Sequence, residues 1–362
     1  MPVDLQRTAV EPPETQGVSS ARLKFADLAA QRLIAAGEVP GISLAVMRHG
    51  HLIHEAYFGL AHPASGQAIS EQTIFAVASI TKLVAATAML LLVERGQVGL
   101  RTPIAVILPE FGQNGKGAVH LQHLLTHTSG IDETFIGRGA LTSLEAYLER
   151  IYQAPLLWTP GTRVAYCNAG YDLLIRIIEK LTGMPHPRFV SAELLEPLGM
   201  RDSYLCPPEQ VQGRIADCRT SEGDDPLPRL VSSGALSGAL FSTARDIGSF
   251  GQLFLDQGRG VGGQVLSPRS VAAMLLDRTD GLQDTGSALV HRGLGWLVAR
   301  PFLGACDLAA PGSFGHSGAS GSFLCVDPVA DMVIAFMANR WDWKQQGRAE
   351  VLNACLGAVV EG

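Results

Sequence analysis

Hydrophobic positions repeat with strand-like spacing near the two chain ends and with helical spacing between them. On the N-terminal side, a helix is predicted over 19–36, because serines precede it and Gly37 follows it. The segment 41–59 then carries two runs of apolar and β-branched residues around His49-Gly50, which predicts a β-hairpin. Towards the other end, strands are predicted at 292–298, 321–326 and 332–337, and a final helix at 344–360.

The middle of the chain is dominated by helical patterns. The most apolar of them covers 79–95 and ends at Gly96. Further helices are predicted at 168–181, at 243–256, at 268–276 and after a capping box at Thr142–Glu145. The simplest arrangement is an α/β (α+β) fold, in which both chain ends build an antiparallel sheet flanked by helices, with an inserted, mainly α-helical domain. We divide the chain into a flexible lead-in (1–18), a sheet domain (19–78 and 232–362) and a helical domain (79–231).

Composition and charge narrow the classes of protein that fit this pattern. Of 362 residues, 47% are hydrophobic and 17% are charged, which excludes an intrinsically disordered chain. The net charge is −6, so no nucleic-acid partner is expected. The longest apolar run, 83–93, is shorter than the roughly 20 residues of a membrane span, and the first residues lack a secretory pattern. We expect a cytoplasmic protein with no membrane partner, whose six dispersed cysteines are thiols.

The first candidate for chemistry is the sequence Ser79-Ile-Thr-Lys82 at the start of the most apolar helix. A serine there places its N–H among the free donors of a helix N-terminus, where negative charge is favoured. Lys82 lies one turn further on the same face, and its apolar neighbours disfavour the ammonium form, which suits a proton acceptor. The alternative is a capping serine followed by a lysine whose ammonium group reaches solvent.

Two further segments combine residues that could act on a substrate. Tyr166-Cys-Asn168 precedes a predicted helix; a tyrosine hydroxyl beside a cation can act as a base, and an amide can orient a carbonyl. Phe314–Gly321 is rich in glycine, contains His316 and leads into a predicted strand, so that a ligand can approach its backbone closely. The alternatives are a capping asparagine with a tyrosine in the core, and a structural histidine at a strand edge.

Together these segments resemble the motifs of the serine β-lactamase and penicillin-binding-protein superfamily, in particular its class C-like branch, which includes the family VIII carboxylesterases. The resemblance covers about residues 20–355 in order and spacing. Besides the three segments above, it includes Leu124–Gly130, Trp158-x-Pro-Gly, Ser242–Asp246 and Gly293–Trp296. The fold that it implies is an α/β domain with an antiparallel sheet and a helical domain, with the active site between them.

The resemblance also implies a role for the motif residues. Ser79 matches the serine that is acylated, and Lys82 matches the lysine of the same motif. Tyr166 matches the tyrosine that shares the handling of the proton with the lysine, and Asn168 matches the asparagine of the second motif. No metal and no cofactor are implied.

The third motif departs from the pattern of the superfamily. His316-Ser317-Gly318 occupies the place of lysine-threonine-glycine, in which the lysine is a permanent cation that helps to hold the carboxylate of a β-lactam. A histidine is mostly neutral at about pH 7, so this departure favours simple esters over β-lactams. The implied oxyanion hole consists of the N–H groups of Ser79 and Ala319.

Two other interpretations of the same residues stay open. Gly315–Ala319 also resembles the nucleophile elbow of an α/β-hydrolase, with Ser317 as the nucleophile, although a strand and not a helix is predicted after it. Histidines 120, 123 and 127, and histidines 49, 51 and 54, are spaced closely enough to bind zinc. Structural or surface roles are favoured for both groups, because no H-E-x-x-H pattern occurs.

We therefore predict a serine hydrolase that works through a Ser79 acyl-enzyme, and in particular a carboxylesterase acting on small to medium esters. The alternatives are acyl transfer to a metabolite acceptor, hydrolysis of D-amino acid amides or peptides, and weak β-lactamase activity. An inactive ligand-binding homologue is the non-enzyme alternative. The expected partner is a small-molecule ester or amide, and the sequence does not indicate an oligomeric state.

Overall fold

The structure is a computed structural model, and it describes residues 9–137, 143–286, 289–298, 306–344 and 347–361. The strands are β1 (Gly41–Arg48), β2 (His51–His62), β3 (Gln67–Ala68), β4 (Phe75–Ala76), β5 (Phe241–Ser242), β6 (Arg259–Gly260), β7 (Gly263–Gln264), β8 (Leu297–Val298), β9 (Phe314–Ser317), β10 (Phe323–Asp327) and β11 (Met332–Ala338). The helices are α1 (Ser20–Ala35), α2 (Thr81–Glu94), α3 (Ile104–Ile107), α4 (Leu121–Leu125), α5 (Glu133–Ile136), α6 (Leu144–Gln153), α7 (Asn168–Thr182), α8 (His186–Val190), α9 (Glu209–Gln212), α10 (Leu227–Ser233), α11 (Ala244–Leu255), α12 (Pro268–Leu275) and α13 (Arg348–Leu356).

Strands from both ends of the chain form one seven-stranded antiparallel sheet, in the order β3–β2–β1–β11–β10–β9–β8. At its centre β1 pairs with β11, so that Ile42 lies opposite Ala338 and Arg48 lies opposite Met332. Helices α2 to α10 lie between the two groups of strands along the chain. The predicted fold class, a sheet built from both chain ends with a helical insertion, is confirmed.

Helices cover both faces of the sheet, and β1 is consequently buried along its whole length. Ile42 and Leu44 point to the face on which α1 and α13 pack, whereas Ala45 and Met47 point to the face covered by α2 and α11. A strand with two buried faces need not alternate polar with apolar positions, which explains why Ser43 and Arg48 are the only polar side chains of β1. Helix α2 begins just after Ser79. Its buried side chains belong to the largest hydrophobic core, on the face of the sheet opposite α1 and α13.

The hairpin turn and two helix starts are confirmed in detail. His49 and Gly50 have φ values of 51° and 79°, the left-handed pair that a tight two-residue hairpin requires. Thr243 caps α11 by accepting a hydrogen bond from the N–H of Asp246. Ser267 caps α12 in the same way, with Pro268 at the first helical position as predicted.

Two elements near the C-terminal side are shorter than predicted. Of the predicted strand 292–298, only Leu297–Val298 joins the sheet, because Gly295 adopts a φ of 86° and turns the chain. The final helix, predicted over 344–360, covers Arg348–Leu356, because Gly347 precedes it with a φ of 82°. Residues 345–346 lie outside the described residues.

Two predictions fall partly outside the described residues. Thr142, the predicted cap of α6, lies outside the described residues. Ser143, which is described, caps the helix because its side chain accepts a hydrogen bond from the N–H of Ala146. The lead-in is described only from residue 9, and in it Pro13–Gln16 forms a short 3-10 helix.

Two global properties bear on the expected class of protein. Within the described ranges, no helix is both long and apolar enough to cross a membrane. All six cysteines are free, and five of them are buried, while Cys206 is exposed. The expectation of thiols and not disulfides is confirmed.

Candidate active site

Ser79 lies on a short turn that joins β4 to α2. The turn is a 3-10 helix over Ala78–Ile80, in which Ala78 has a φ of 47°, a left-handed conformation that residues other than glycine rarely adopt. Thr81 fixes this turn, since its Oγ1 donates to the carbonyl of Ala78 (2.6 Å) and accepts from the N–H of Leu240 (3.0 Å). Ser79 is thus held, half-buried, at the N-terminus of the apolar helix.

Lys82 is completely buried, and its ammonium group reaches Ser79. Its Nζ lies 3.2 Å from Oγ of Ser79 and 2.9 Å from Oδ1 of Asn168, and it also donates to the backbone carbonyl of Ser237. Three oxygen acceptors therefore match the three donors of the ammonium group. The alternative in which Lys82 extends into solvent is wrong.

Tyr166 lies beside this pair at the molecular surface. It is 41% exposed, so the alternative of a tyrosine packed in the core is wrong. The Nζ of Lys82 lies 4.8 Å from its ring centroid, and the ring of His127 stacks on it at 4.3 Å. Its hydroxyl forms no hydrogen bond with any described residue, which leaves it accessible to a substrate.

The segment that follows Tyr166 is anchored by the first turn of α7. Cys167 is the N-cap, and Oε1 of Glu133 accepts the N–H groups of Asn168 (2.5 Å) and Ala169 (3.0 Å). A carboxylate is favoured at a helix N-terminus by the free N–H groups and the helix dipole. Because Glu133 satisfies these donors, the side chain of Asn168 does not cap the helix and instead holds Lys82.

His316 lies on β9, which packs beside the turn that carries the serine. It is 3% exposed, and its Nδ1–H donates to the carbonyl of Ser317 (2.7 Å). Burial, reinforced by the charges of Arg292 and Lys82, lowers the pKa of His316 to about 3, so the imidazole is neutral. Its ring centroid lies 6.3 Å from that of Tyr166. β9 is an inner strand of the sheet, in which His316 lies opposite Leu324 of β10 while β8 pairs with the two residues before it.

The residues after β9 pack against the start of the serine turn. Ala319 is exposed, and its N–H forms no hydrogen bond with any described residue. Gly318 packs against the start of the serine turn so tightly that a Cβ on it would lie 2.3 Å from the carbonyl oxygen of Val77. Only glycine permits this close approach of β9 to Val77, two residues before Ser79.

Gly318→Ala is expected to lower kcat/KM for an ester on the order of a hundredfold, because the new methyl group must push β9 away from the serine turn. Gly262→Ala is the matched control, since a Cβ there meets nothing closer than 3.7 Å. Steady-state kinetics on both variants test this. Equal activity of the two variants would show that the spacing between β9 and Val77 does not matter for activity.

The low pKa of His316 also predicts how stability depends on pH. The unfolded chain takes up a proton on this residue near pH 6.5, whereas the native protein does so only near about 3, so stability falls as the pH drops through this window. His316→Gln should therefore lose about 2 kcal/mol less stability between pH 7 and 5 than the wild type. Urea unfolding at the two pH values measures the difference. Identical losses in the two proteins would mean that His316 is protonated in the native state.

The sequence did not identify Asp172, the residue that positions the backbone carbonyl of Ser237 against Lys82. Asp172 on α7 accepts the N–H of Ser237 (2.8 Å) and the hydroxyl of Tyr147 (3.2 Å), and burial raises the pKa of its carboxyl group. The available indication was an acidic residue inside a buried helical face, directly before Leu173. The contribution of Ser237 is a backbone carbonyl and leaves no trace in the sequence.

Arg292 was not identified from the sequence either. It is 9% exposed, and its Cζ lies 5.4 Å from the ring centroid of Tyr166. Its charge acts on both His316 and His127, whose pKa values are lowered first by burial and then by this guanidinium. The structure thus places a permanent cation near the third motif, although not at the position of its usual lysine.

The α/β-hydrolase interpretation is wrong, because Ser317 ends β9 and the next element is the strand β10, not a helix.

The two histidine groups considered as zinc sites do not converge on one point among the described residues. His120 stacks on His123 at 3.6 Å, while His127 stacks on Tyr166. The histidines of the hairpin bind separate side chains: His49 contacts Gln16, His51 contacts Glu11 and His54 contacts Asp27.

Known proteins match the chain over most of its length. The family model described as Beta-lactamase matches residues 26–356. Penicillin-binding protein 4 of Amycolatopsis lactamdurans is 32% identical over 317 residues, which are 83% of this chain and 81% of that protein. Among solved structures, a family VIII carboxylesterase has a TM-score of 0.80 at 19% identity, covering 95% of this chain and 99% of its own. EstCE1, a hydrolase with promiscuous acyltransferase activity, has a TM-score of 0.80 at 20% identity, with coverage of 94% and 99%.

The solved structures show that the fold is shared. The family model and the 32% identical relative show, in addition, which family the chain belongs to. The match to the family model includes the serine turn, the α7 segment and β9. The chain therefore belongs to the β-lactamase family of serine hydrolases.

Proposed function

We propose that the protein is a carboxylesterase that hydrolyses small to medium esters through an acyl-enzyme on Ser79. The observation that carries this proposal is the hydrogen bond from the buried Lys82 to the Ser79 hydroxyl, at a helix N-terminus and next to the exposed Tyr166. A weakly acidic hydroxyl needs an adjacent proton acceptor to become a nucleophile, and in this proposal Lys82 as an amine or Tyr166 as a phenolate takes that role.

The proposed reaction has two steps. In the first, the Oγ of Ser79 attacks the ester carbonyl, its proton passes to the Lys82–Tyr166 pair, and the alcohol leaves with a proton from the same pair. The N–H groups of Ser79 and Ala319 hold the oxyanion, and one such donor typically stabilises the transition state by about 3 kcal/mol. In the second, water attacks the acyl-enzyme and releases the acid. Asn168 orients Lys82 throughout.

The preference for esters rests on the surroundings of the nucleophile. The neutral His316 replaces a lysine that would bind the carboxylate of a β-lactam. Exposed apolar side chains lie on segments that adjoin Asn168, namely Phe135 on α5, which also carries Glu133, and Tyr166 itself. Such surface suits an acyl chain of modest length.

Hydrolysis of D-amino acid amides or peptides is the second candidate. Arg292 favours it, because these substrates carry a carboxylate and this arginine is a cation close to Tyr166. Acyl transfer would follow from the same acyl-enzyme if an alcohol or amine replaced water.

A panel of p-nitrophenyl esters, D-amino acid amides and nitrocefin, tested on the purified protein, separates these activities. We expect turnover of esters with acyl chains of two to about six carbons. Turnover of amides alone would replace the esterase proposal with the peptidase one. No turnover of any substrate and no reaction with a fluorophosphonate would identify an inactive ligand-binding homologue.

A further inference from the structure

A cavity of about 540 Å³ opens beside β8, the strand at the edge of the sheet. Asp277, Asp280 and His291 line it, together with Ser313 from the segment before β9. Ser313 immediately precedes β9 and Ser317 ends it, so roughly 13 Å of extended chain separates the cavity from the active-site end of this strand. The cavity is therefore distinct from the site that contains the nucleophile.

Three side chains in this cavity have the chemistry and the spacing of metal ligands. One nitrogen of His291 and one carboxylate oxygen each of Asp277 and Asp280 all lie within 4.8 Å of one another. Atoms bound to one Zn²⁺ at about 2.0–2.1 Å lie roughly 3.3 Å apart, so small side-chain rotations close the group around an ion. Nδ1 of His291 donates to Oδ2 of Asp277 (2.5 Å), and a bound cation takes the place of that proton.

Neither aspartate is neutralised by a permanent cation. Among the described residues, His291 is the only basic side chain that pairs with Asp277, and the side chain of Asp280 forms no ion pair and no hydrogen bond. The guanidinium of Arg278 donates to groups outside the cavity, and that of Arg292 faces the active-site tyrosine. Two carboxylates with one histidine give the cavity a negative charge, which attracts a cation.

Ser313 gives a second, independent indication of a ligand. It is 1% exposed, and its Oγ is buried without a hydrogen-bond partner in the part of the chain that the structure describes. A buried hydroxyl without a partner is costly, so a group bound in the cavity would account for this position. A metal-bound water is such a group, because zinc sites with three protein ligands keep a fourth position for water.

The backbone brings Asp277 and His291 together before any ion binds. Oγ1 of Thr279 donates to the carbonyl of Val290 (2.5 Å) and accepts the N–H of Arg292 (2.9 Å). These two bonds join the ends of the loop 277–291, which carry the aspartate and the histidine. Because the loop is already closed, an ion need not order it, and binding is stronger for that reason.

We propose that Asp277, Asp280 and His291 bind a divalent transition-metal ion, best matched by Zn²⁺, and that Ser313 holds the water that completes its coordination. A nitrogen ligand combined with oxygen ligands suits Zn²⁺, whereas Ca²⁺ takes six to eight oxygen ligands. The ion ties the loop 277–291 to the segment before β9. The site does not depend on whether the protein is an esterase.

Zn²⁺ binding to the metal-stripped full-length protein tests the proposal. Equilibrium dialysis should give a Kd in the micromolar range or below, and Zn²⁺ should raise the melting temperature. Asp280→Asn changes an exposed side chain that has no hydrogen bond and should weaken binding at least about tenfold. Ser313→Ala should weaken it several-fold, because only the hydrogen bond to the metal-bound water is lost. Hydrogen exchange of residues 277–286 should slow when Zn²⁺ is added.

His54→Gln is the matched control and should leave the Kd unchanged. His54 also pairs with an aspartate, Asp27 (2.8 Å), but within the described ranges it belongs to no group of three metal-ligating side chains. No saturable binding at millimolar Zn²⁺, an unchanged Kd in Asp280→Asn, or tighter binding of Ca²⁺ than of Zn²⁺ would each overturn the proposal. If Asp280→Asn does not fold, the wild type decides, because slower exchange confined to another part of the chain also overturns it.

Discussion

Ser79→Ala is expected to lower kcat/KM for esters by a factor of about 10⁴ or more, with the free energy of unfolding within about 1 kcal/mol of the wild type. The substitution removes one half-buried oxygen, and among the described residues this oxygen has one hydrogen bond, which it accepts from Lys82. The backbone of the turn is fixed by Thr81, so the N–H of residue 79 stays in place. Steady-state kinetics and urea unfolding on the same preparations measure both quantities.

Mass spectrometry locates the nucleophile independently of kinetics. A fluorophosphonate should add once to the wild-type protein, on the peptide that contains Ser79, and not at all to Ser79→Ala. Ser317→Ala is the matched control, because Ser317 lies in the same site at the end of β9 and should remain dispensable for labelling. An adduct on the peptide of Ser317, or full activity of Ser79→Ala, would remove Ser79 from the mechanism.

Lys82→Arg is expected to lose at least about 10³-fold in kcat/KM. A guanidinium cannot give up its proton at working pH, and it is too large for a fully buried position filled by three oxygen acceptors. The rate of fluorophosphonate labelling should fall with the rate of turnover, because both depend on removal of the serine proton.

The chain offers a second completely buried lysine as a control. Lys116 donates to the carbonyls of Tyr152 and Ala154, away from the active site. Lys116→Arg should lower the melting temperature and leave kcat of the folded fraction unchanged. If Lys82→Arg behaved in the same way, with activity within a few-fold of the wild type, Lys82 would have only a structural role.

Local features of this fold were predictable from the sequence. The hairpin turn at His49-Gly50 and the cap at Ser267 depend on residues within a few positions of each other, and the structure agrees with both. The contact between Ser79 and Lys82 was predictable for the same reason, since one helical turn separates them.

Contacts between distant segments were not predictable without the resemblance to a family. Arg292 reaches the site only because the chain turns at Gly295 and does not continue as a strand, which hydrophobic patterns do not indicate. Glu133 accepts the first N–H groups of α7, although it lies 35 positions before Asn168, the residue that the alternative interpretation made the cap. The sequence periodicity specifies which face of an element is buried but not which remote polar group meets it.

The pairing of β1 with β11 has a consequence for how the protein is made. Ile42 must find Ala338, so the centre of the sheet cannot form until nearly all of the chain has left the ribosome. Until then the hairpin of β1 and β2 presents an apolar strand with an unpaired edge, the feature that promotes aggregation during synthesis. Low temperature, which weakens the association of exposed apolar strands, should therefore raise the yield of active protein more than the total yield of chain.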